Sequence, residues 1–229
     1  MMRKFAISDI HGCLETFKAL LSQIAFSKSD QLYLLGDYID RGPDSKGVID
    51  YIWQLQHEGY FVHCLRGNHE QMLLDSFNDP FDLQLWQNHG GLETMSSFNV
   101  ETIDEVPLEY LQWIDDLPFY IEIDDYFLVH AGLNFDLPNP YDGLQAMIWI
   151  RSWHDKIKKD WLGDRIIVHG HTPTEASTIR QNLVEMQEQS AIIIDGGCVY
   201  DIEGLGNLFA LELGAKQLHM HHNIEPEVI

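Results

Sequence analysis

The amino-acid sequence predicts an α/β fold, with α+β character in its second half, in which helices surround a β-sandwich-like core. Two observations lead to this prediction. In the first third of the chain, a short apolar run is followed three times by a polar loop and then by helical periodicity. In the second half, a hairpin pattern and further short apolar runs appear. Strands that alternate with helices are typical of parallel sheets with right-handed crossovers.

The three strands predicted in the first third are Lys4–Ile7, Leu32–Leu35 and Phe61–Leu65. After the first strand, one apolar helix face is formed by Leu14, Phe17, Leu20, Leu21 and Ile24. A second helix starts at Pro43-Asp44-Ser45 and ends at Gly59. A third helix is expected to begin near Met72.

A helical insertion is predicted at about residues 78–117, where the apolar pattern is less regular. The runs Tyr120–Ile123 and Tyr126–His130 flank two aspartates and predict a β-hairpin. Later strands are predicted at Arg165–His169, Ala191–Asp195 and Leu208–Leu213. No internal repeat or linker is visible, so residues 1–229 are expected to form a single domain.

The composition limits the kinds of partner. The chain has 229 residues, is 45% hydrophobic and carries a formal net charge of −22. Such an acidic chain is not expected to bind nucleic acid or an anionic membrane surface, since both attract Lys and Arg. Three cysteines without a C-x-x-C pair favour free thiols in a reducing compartment. No apolar run approaches the roughly 20 residues of a membrane span. We therefore expect a cytoplasmic monomer.

Five predicted strands end in loops that are rich in potential metal ligands. The first three loops are Ser8-Asp9-Ile10-His11-Gly12, Gly36-Asp37-Tyr38-Ile39-Asp40-Arg41-Gly42 and Arg66-Gly67-Asn68-His69-Glu70. The last two are His130-Ala131-Gly132 and His169-Gly170-His171-Thr172-Pro173. Ligands of open α/β sheets bind outside the carboxyl ends of the strands, so these loops are expected to form one cation site.

Six side chains from these loops are candidate metal ligands: Asp9, His11, Asp37, Asn68, His130 and His171. Oxygen and nitrogen donors without a thiolate suit borderline divalent ions such as Mn, Fe and Zn. Six protein ligands exceed what one ion with an open coordination position needs. Two divalent ions account for the number, with Mn as the expected metal and Fe or Zn as alternatives.

The loops resemble the signature of the metallophosphoesterases, and more narrowly of the phosphoprotein phosphatase family. That family has the motifs GDxHG, GDxxDRG and GNHE, followed by two His motifs. The first motif here departs at one position, where Ser8 replaces Gly, and the next two match in full. The segments Arg66–Gln71 and 149–151 resemble the small bacterial and phage branch. The resemblance extends from Ser8 to Gly197 and implies the four-layer calcineurin-like fold, with a central β-sandwich.

The resemblance also implies roles by position. The first metal would be held by Asp9, His11 and Asp37, and Asp37 would bridge to a second metal held by Asn68, His130 and His171. Arg41 and Arg151 would bind the non-bridging phosphate oxygens and offset charge in the transition state. His69, oriented and kept cationic by Asp40, would protonate the leaving oxygen.

These roles imply a metal-dependent phosphomonoester hydrolase. In it, a hydroxide bridging the two metals would attack phosphorus in line. We expect a Ser/Thr protein phosphatase, with a phosphorylated protein or peptide, or a small phosphate ester, as substrate. The alternative is a diadenosine tetraphosphatase or other nucleotide phosphohydrolase, which this branch also resembles.

Asp40 and Glu70 favour the phosphatase, because the nucleotide hydrolases usually lack that Asp and have GNHD. A non-catalytic metal-binding scaffold is a further alternative. The presence of Asp40, Arg41, His69 and Arg151 argues against it, because a scaffold does not require them.

Three residues keep open roles. Arg66 has a place before Gly67 that fits either a loop brace or a substrate contact. His169 competes with His171 for the ligand position, and family position favours His171. Tyr200 lies near the segment where eukaryotic relatives carry a Tyr over the site, without an unambiguous alignment.

Overall fold

The structure is a computed structural model and describes residues 2–226. The strands within that range are β1 (Lys4–Ile7), β2 (Gln31–Leu34), β3 (Phe61–Cys64), β4 (Tyr120–Ile123), β5 (Tyr126–Val129), β6 (Ile166–His169), β7 (Ala191–Ile193), β8 (Asn207–Glu212) and β9 (Gln217–His222). The α-helices are α1 (Leu14–Gln23), α2 (Ser45–His57), α3 (Asn68–Asp75), α4 (Pro80–Trp86), α5 (Leu92–Phe98), α6 (Leu108–Asp115), α7 (Leu144–Trp149), α8 (Lys159–Leu162) and α9 (Ala176–Gln189). Shorter helical turns are the π-helix Gln87–Gly91 and the 3₁₀ segments Ile103–Glu105, Pro140–Asp142 and His154–Lys156.

The strands form two mixed sheets. One sheet has the order β3-β2-β1-β8-β9 and the other has the order β4-β5-β6-β7. The pairs β1–β2, β2–β3, β5–β6 and β6–β7 are parallel. The parallel pairing predicted for the first three strands is therefore confirmed, and so is the β4–β5 hairpin, in which Ile123 pairs with Tyr126.

The two sheets pack face to face. Alternation along β1 places Phe5 and Ile7 in one apolar cluster with α1 and α2, and Ala6 in a second cluster between the sheets. Strand β5 does the same, since Leu128 joins the central cluster and Phe127 faces a third cluster on the outer side. Helices and loops thus cover both outer faces, which confirms the predicted α/β fold with its central β-sandwich and four layers.

Besides the short helices α7 and α8, for which no element was predicted, the predicted elements differ from the structure at three places. The segment 217–222, for which no element was predicted, forms β9, which pairs along β8. Its apolar residues Leu218 and Met220 are only half-buried, and the three histidines at positions 219, 221 and 222 made the apolar pattern too weak to predict a strand. Helix α3 starts at Asn68 rather than near Met72, so the third loop motif runs into the helix. Helix α9 was not predicted, because only Ile179 and Met186 are buried along its 14 residues.

The predicted insertion is helical, and α4, the π-helix, α5 and α6 lie within it. Its buried side chains include Trp86, Met95, Tyr110 and Ile114, which pack into the cluster that covers the first sheet. Among residues 2–226, none of the helices has the length and apolar character needed to cross a bilayer. The insertion is thus a wall of the fold beside the ends of β1 and β2.

Candidate metal centre

The backbone of the metal-ligand loops is held in an uncommon conformation. Six of their polar residues have φ between 46° and 73°: Asp9, His11, Asp37, Asp40, Arg41 and His171. Non-glycine residues rarely adopt such angles, which cost energy and cluster at functional sites. Hydrogen bonds between the first two loops hold them there, since the N–H groups of His11 and Gly12 donate to the carbonyls of Asp37 and Tyr38.

A first group of potential metal ligands consists of His11, Asp37 and His69, whose ligand atoms lie within 4.8 Å of one another. His11 Nδ1 is 2.8 Å from the carbonyl oxygen of Ile39 and donates to it. Its Nε2 therefore carries a lone pair, which lies 3.5 Å from Asp37 Oδ2. All three side chains are buried, so this lone pair and the carboxylate face each other away from bulk water.

A second group consists of Asp37, His130 and His171, with the same spacing. His130 Nδ1 donates to the carbonyl of Leu35 at 2.9 Å, so its Nε2 is an acceptor. That atom lies 3.4 Å from Asp37 Oδ1 and 2.9 Å from Asn68 Oδ1. Among the described residues, the buried Nε2 of His171 has no hydrogen-bond partner.

Asp9 lies beside these groups but belongs to neither. Its carboxylate accepts the backbone N–H of His171 at 3.1 Å and the hydroxyl of Ser8. A Cβ at position 170 would lie 2.0 Å from Asp9 Oδ2, so Gly170 permits this approach. The metal-ligand role of Asp9 remains a prediction. His69, which was predicted as a catalytic acid, has a ring nitrogen within the first group of potential metal ligands.

These donor sets fit divalent cations. Burial lowers the pKa of His11 and His130 and lowers that of His171 to about 2, so the imidazoles are neutral and keep lone pairs. Burial, and next the charge of Asp9, raise the pKa of Asp37 well above its usual range. Cations would satisfy both the converging lone pairs and the crowded carboxylates.

His69 is held by a buried network centred on Asp40. His69 Nδ1 lies 2.7 Å from Asp40 Oδ2, and Asp40 also accepts from Thr94 Oγ1 at 2.6 Å and from Trp86 Nε1 at 3.0 Å. The pKa of His69 is lowered, first by burial and next by the electrostatic effect of the neighbouring His11 ring, which is the opposite of the shift expected from the sequence. Three donors on one carboxylate fix the orientation of the imidazole.

One arginine accompanies each ligand group. Arg41 Nη1 donates to His11 Nε2 at 2.7 Å, and its guanidinium lies 5.7 Å from the ring centre of Tyr200. Arg151 Nη1 donates to the carbonyl of His171 at 3.2 Å and to Thr172 Oγ1 at 2.9 Å. The predicted arginine pair therefore reaches the metal groups, and Tyr200 lies beside it.

Glu70 joins the second and third loops. Its fully buried carboxylate accepts three backbone N–H groups, from Asp37 and Tyr38 at 2.8 Å and from Gly67 at 2.9 Å. Burial raises the pKa of Glu70, and the three N–H donors oppose this shift. In the sequence, Glu70 was the last residue of the GNHE motif and was used only to choose between substrate classes. Its contacts show that it holds the second and third loops together, as a brace of the site.

The other two open residues are structural in their contacts. Arg66 donates to Gln71 Oε1 at 2.9 Å and to the carbonyl of Asp115, which ties the third loop to the end of α6. His169 lies outside both ligand groups, with its Nε2 at 3.0 Å from Nε2 of His154. Burial lowers the pKa of His169 to about 3. His171, rather than His169, is thus the histidine in a ligand group.

Two cavities flank the centre. The Arg41 cavity has a volume of about 350 Å³ and is lined by residues that include Arg41, Tyr200, Asp201 and Glu225. The Arg151 cavity has a volume of about 490 Å³ and is lined by residues that include Arg151, His154, Thr172, Thr178, Asn182 and Gln189. A substrate bound at the arginines therefore has space on two sides.

Two mixed sheets with buried carboxylates and imidazoles at the strand ends define a metallophosphoesterase. The family model of the calcineurin-like phosphoesterases matches residues 2–199, and the chain belongs to that family. Family members use a binuclear metal centre, and this chain has two groups of buried side chains that could hold metal.

Relatives of the chain include enzymes named for nucleotide hydrolysis. A relative from Oceanobacillus iheyensis, named bis(5′-nucleosyl)-tetraphosphatase PrpE [asymmetrical], is 27% identical over 221 residues, which cover 85% of this chain and 83% of the relative. The symmetrical bis(5′-nucleosyl)-tetraphosphatase of Pseudomonas fluorescens is 34% identical over 137 residues, 58% of this chain. The match spans only 43% of that relative's length.

A solved structure supports the fold. The Ser/Thr phosphatase from Saccharomyces cerevisiae, described as similar to human phosphatase PP5, superposes with a TM-score of 0.70 at 17% identity. The superposition covers all of this chain and 82% of the other. At this identity the similarity concerns the fold alone.

Proposed function

We propose that this protein hydrolyses dinucleoside polyphosphates, with bis(5′-nucleosyl) tetraphosphates as the substrate class. The observation that carries the proposal is the match to the Oceanobacillus iheyensis relative, which extends over most of both chains. This function is the alternative that the sequence left open, and we prefer it to the expected protein phosphatase. The similarity to a protein phosphatase is one of fold, at 17% identity.

The two residues that had favoured a protein phosphatase do not line the space in which the two classes of substrate would differ. Asp40 and Glu70 are both fully buried. Asp40 binds His69, Trp86 and Thr94, and Glu70 binds backbone N–H groups. Neither carboxylate faces the space beside the arginines, so both serve an enzyme of either specificity.

The proposed centre has two metal positions that share Asp37. Asp9, His11 and Asp37 would hold one divalent ion, and Asp37, Asn68, His130 and His171 would hold the other, with Mn as the first metal to test and Fe or Zn as the others. When bound, two such ions would supply Lewis-acid polarisation of the phosphoryl group and acidify water for use as a nucleophile. The buried imidazoles contribute neutral donors, which limits the net charge of the site.

Arg41 and Arg151 are proposed to bind the non-bridging oxygens of the phosphoryl group under attack. A guanidinium forms paired, charge-assisted hydrogen bonds with phosphate. The chain has a net charge of −22, so a polyanionic substrate needs such local positive charge. Arg41 beside His11 and Arg151 beside His171 supply it at both ligand groups.

His69 is proposed to deliver a proton to the leaving oxygen through Nε2, because Nδ1 is engaged with Asp40. A neutral imidazole with its proton on Nδ1 has none on Nε2, so this role requires that the negative charge of the bound phosphates raise the pKa of His69 and favour the imidazolium. The leaving group of a dinucleoside polyphosphate is a nucleotide phosphate, which is a weaker base than the alkoxide of a serine. Less proton transfer is therefore needed in the transition state, and His69 and Asp40 would contribute less to anhydride cleavage than to ester cleavage.

The test is a substrate comparison on the full chain with Mn²⁺. The value of kcat/KM is measured for diadenosine tetraphosphate and for phosphoserine and phosphothreonine peptides, with the nucleotide products separated by chromatography. Two molecules of ADP indicate symmetrical cleavage, and ATP with AMP indicates asymmetrical cleavage. A higher kcat/KM for a phosphopeptide than for the tetraphosphate would reject the proposal.

Two variants would test whether the activity comes from this centre. Asp37→Asn removes a negative charge from the shared ligand, and we expect activity to fall below detection. Asp116→Asn makes the same chemical change at an exposed residue and is expected to leave kcat/KM unchanged. Removal of metal with a chelator should abolish hydrolysis, and added Mn²⁺ should restore it.

A further inference from the structure

Apart from Arg151, no residue that lines the Arg151 cavity has a catalytic role assigned above. It lies between α9, the end of β7 and the segment around residue 151. Its volume of about 490 Å³ falls within the range of about 300–1,000 Å³ usual for small-molecule sites. Its rim is formed by Arg151, which also contacts the metal-ligand loop at the His171 carbonyl. A ligand in this cavity would therefore adjoin the phosphate site.

The lining of this cavity suits a nucleotide. Among the described lining residues none is acidic, although the chain contains 36 Asp and Glu residues. Helix α9 contributes Thr178 and Asn182, which are four positions apart and lie on one helix face. Neither side chain makes a hydrogen bond within residues 2–226, so the half-buried amide of Asn182 is available to a ligand. An Asn amide can pair with both N6 and N7 of adenine.

The Arg41 cavity suits a nucleotide less well. Asp201 and Glu225 both line it, and their carboxylates would repel the phosphates of an anionic ligand. It is also smaller, at about 350 Å³. The two cavities thus differ in charge, and the carboxylate-free one is beside Arg151.

We propose that the Arg151 cavity is a nucleotide subsite. It would hold one nucleoside end of the dinucleoside polyphosphate, with the base at Asn182 and Thr178 and the adjacent phosphate at Arg151. The identity of the substrate class rests on the function proposed above. Binding of a nucleoside monophosphate to this cavity is separate from turnover, so it can be measured by itself.

The experiment is titration calorimetry on the full chain with Mn²⁺, using adenosine 5′-monophosphate and inorganic phosphate. The nucleotide is expected to bind about 10-fold tighter than phosphate, from hydrogen bonds that phosphate cannot make. Asn182→Ala should reduce this preference by about 3- to 10-fold, and Thr178→Val should reduce it in the same direction. The matched control is Gln181→Ala, a neighbouring exposed amide outside the cavity lining, which should keep the preference.

The outcomes separate the two proposals. Equal affinities of the unmodified chain for the nucleotide and for phosphate would overturn the subsite, and so would a preference that survives both variants. A phosphoserine peptide that binds as tightly as the nucleotide and is weakened equally by Asn182→Ala would also overturn it. If the calorimetric preference appears but diadenosine tetraphosphate is not hydrolysed, the subsite stands and the proposed reaction fails.

Discussion

Replacing Glu70 by Gln tests whether one buried carboxylate holds the metal-ligand loops together. In the protein, Oε2 accepts the N–H groups of Asp37 and Gly67, and Oε1 accepts the N–H of Tyr38. A Gln side chain has the same shape but one oxygen. If that oxygen takes the Oε2 position, the amide nitrogen faces the N–H of Tyr38, and two donors meet without an acceptor.

The magnitude follows from these contacts. Glu70→Gln loses one charge-assisted hydrogen bond and leaves a buried N–H unpaired, so the free energy of unfolding should fall by about 2–4 kcal/mol. A domain with about 5–15 kcal/mol of stability remains folded after this loss. Because the three N–H groups belong to the loops that carry Asp37 and Asn68, Mn²⁺ affinity should fall about 10- to 100-fold.

The assays are urea unfolding with chelator present and calorimetric titration of the folded variant with Mn²⁺. Glu93→Gln makes the same change at an exposed position and should alter the free energy of unfolding by no more than about 0.5 kcal/mol. A Glu70→Gln variant as stable as the Glu93→Gln control, with unchanged Mn²⁺ affinity, would refute the brace.

Three further changes test other parts of the structure. Gly90 has φ of +110°, and a Cβ there would lie 2.4 Å from the backbone nitrogen of Arg41. Gly90→Ala should therefore displace Arg41 and lower kcat/KM about 10- to 100-fold, and unchanged kinetics would contradict this contact. Arg41→Ala should raise the inhibition constant of phosphate about 10-fold or more, measured in competition with substrate, and an unchanged constant would remove Arg41 from phosphate binding. Asp30→Asn should destabilise the fold by about 1–3 kcal/mol at pH 7, because Asp30 accepts hydrogen bonds from Arg3 and Ser27. The hydrogen bond from Arg3 lowers the pKa of Asp30. The difference in stability between the protein and the variant should therefore be complete above about pH 4, the usual pKa range of Asp, and should disappear as the pH falls through the lowered pKa. A stability difference that is independent of pH would refute the ion pair.

The strands and the ligand loops were predictable because each apolar run is short and ends at a recognisable polar motif. The predicted β1 and β4 agree with the structure at both ends, and the other predicted strands differ from it by one or two residues, whereas β9 was not predicted. The loops converge because β1, β2 and β3 are parallel, as are β5 and β6. A candidate metal centre at the strand ends could therefore be predicted from the sequence.

The support of the centre was not predictable. Trp86 and Thr94 reach Asp40 from 46 and 54 residues further along the chain, and only the packing of the insertion brings them there. Gly90 lies in the same insertion, in a π-helical turn without a sequence signal. Glu70 was recognisable as part of a motif, but the motif does not indicate whether its carboxylate contacts the substrate or the backbone. Local sequence patterns predicted candidate ligands, whereas the contacts that orient them depend on the fold.

Because the chain is strongly acidic, binding of an anionic substrate depends on the charges close to the metal centre. A surface with a net charge of −22 repels a polyphosphate at long range, but this repulsion is screened beyond about 8 Å at physiological ionic strength. Within that distance, Arg41, Arg151 and any bound cations determine the field at the substrate. Of the carboxylates at the centre, Asp40 accepts hydrogen bonds from His69, Trp86 and Thr94. Asp37 faces the lone pairs of His11 and His130, where bound cations would neutralise its charge. An acidic protein can therefore bind a polyanion, provided that its carboxylates at the site are each engaged and its few cationic groups are placed where the phosphates lie.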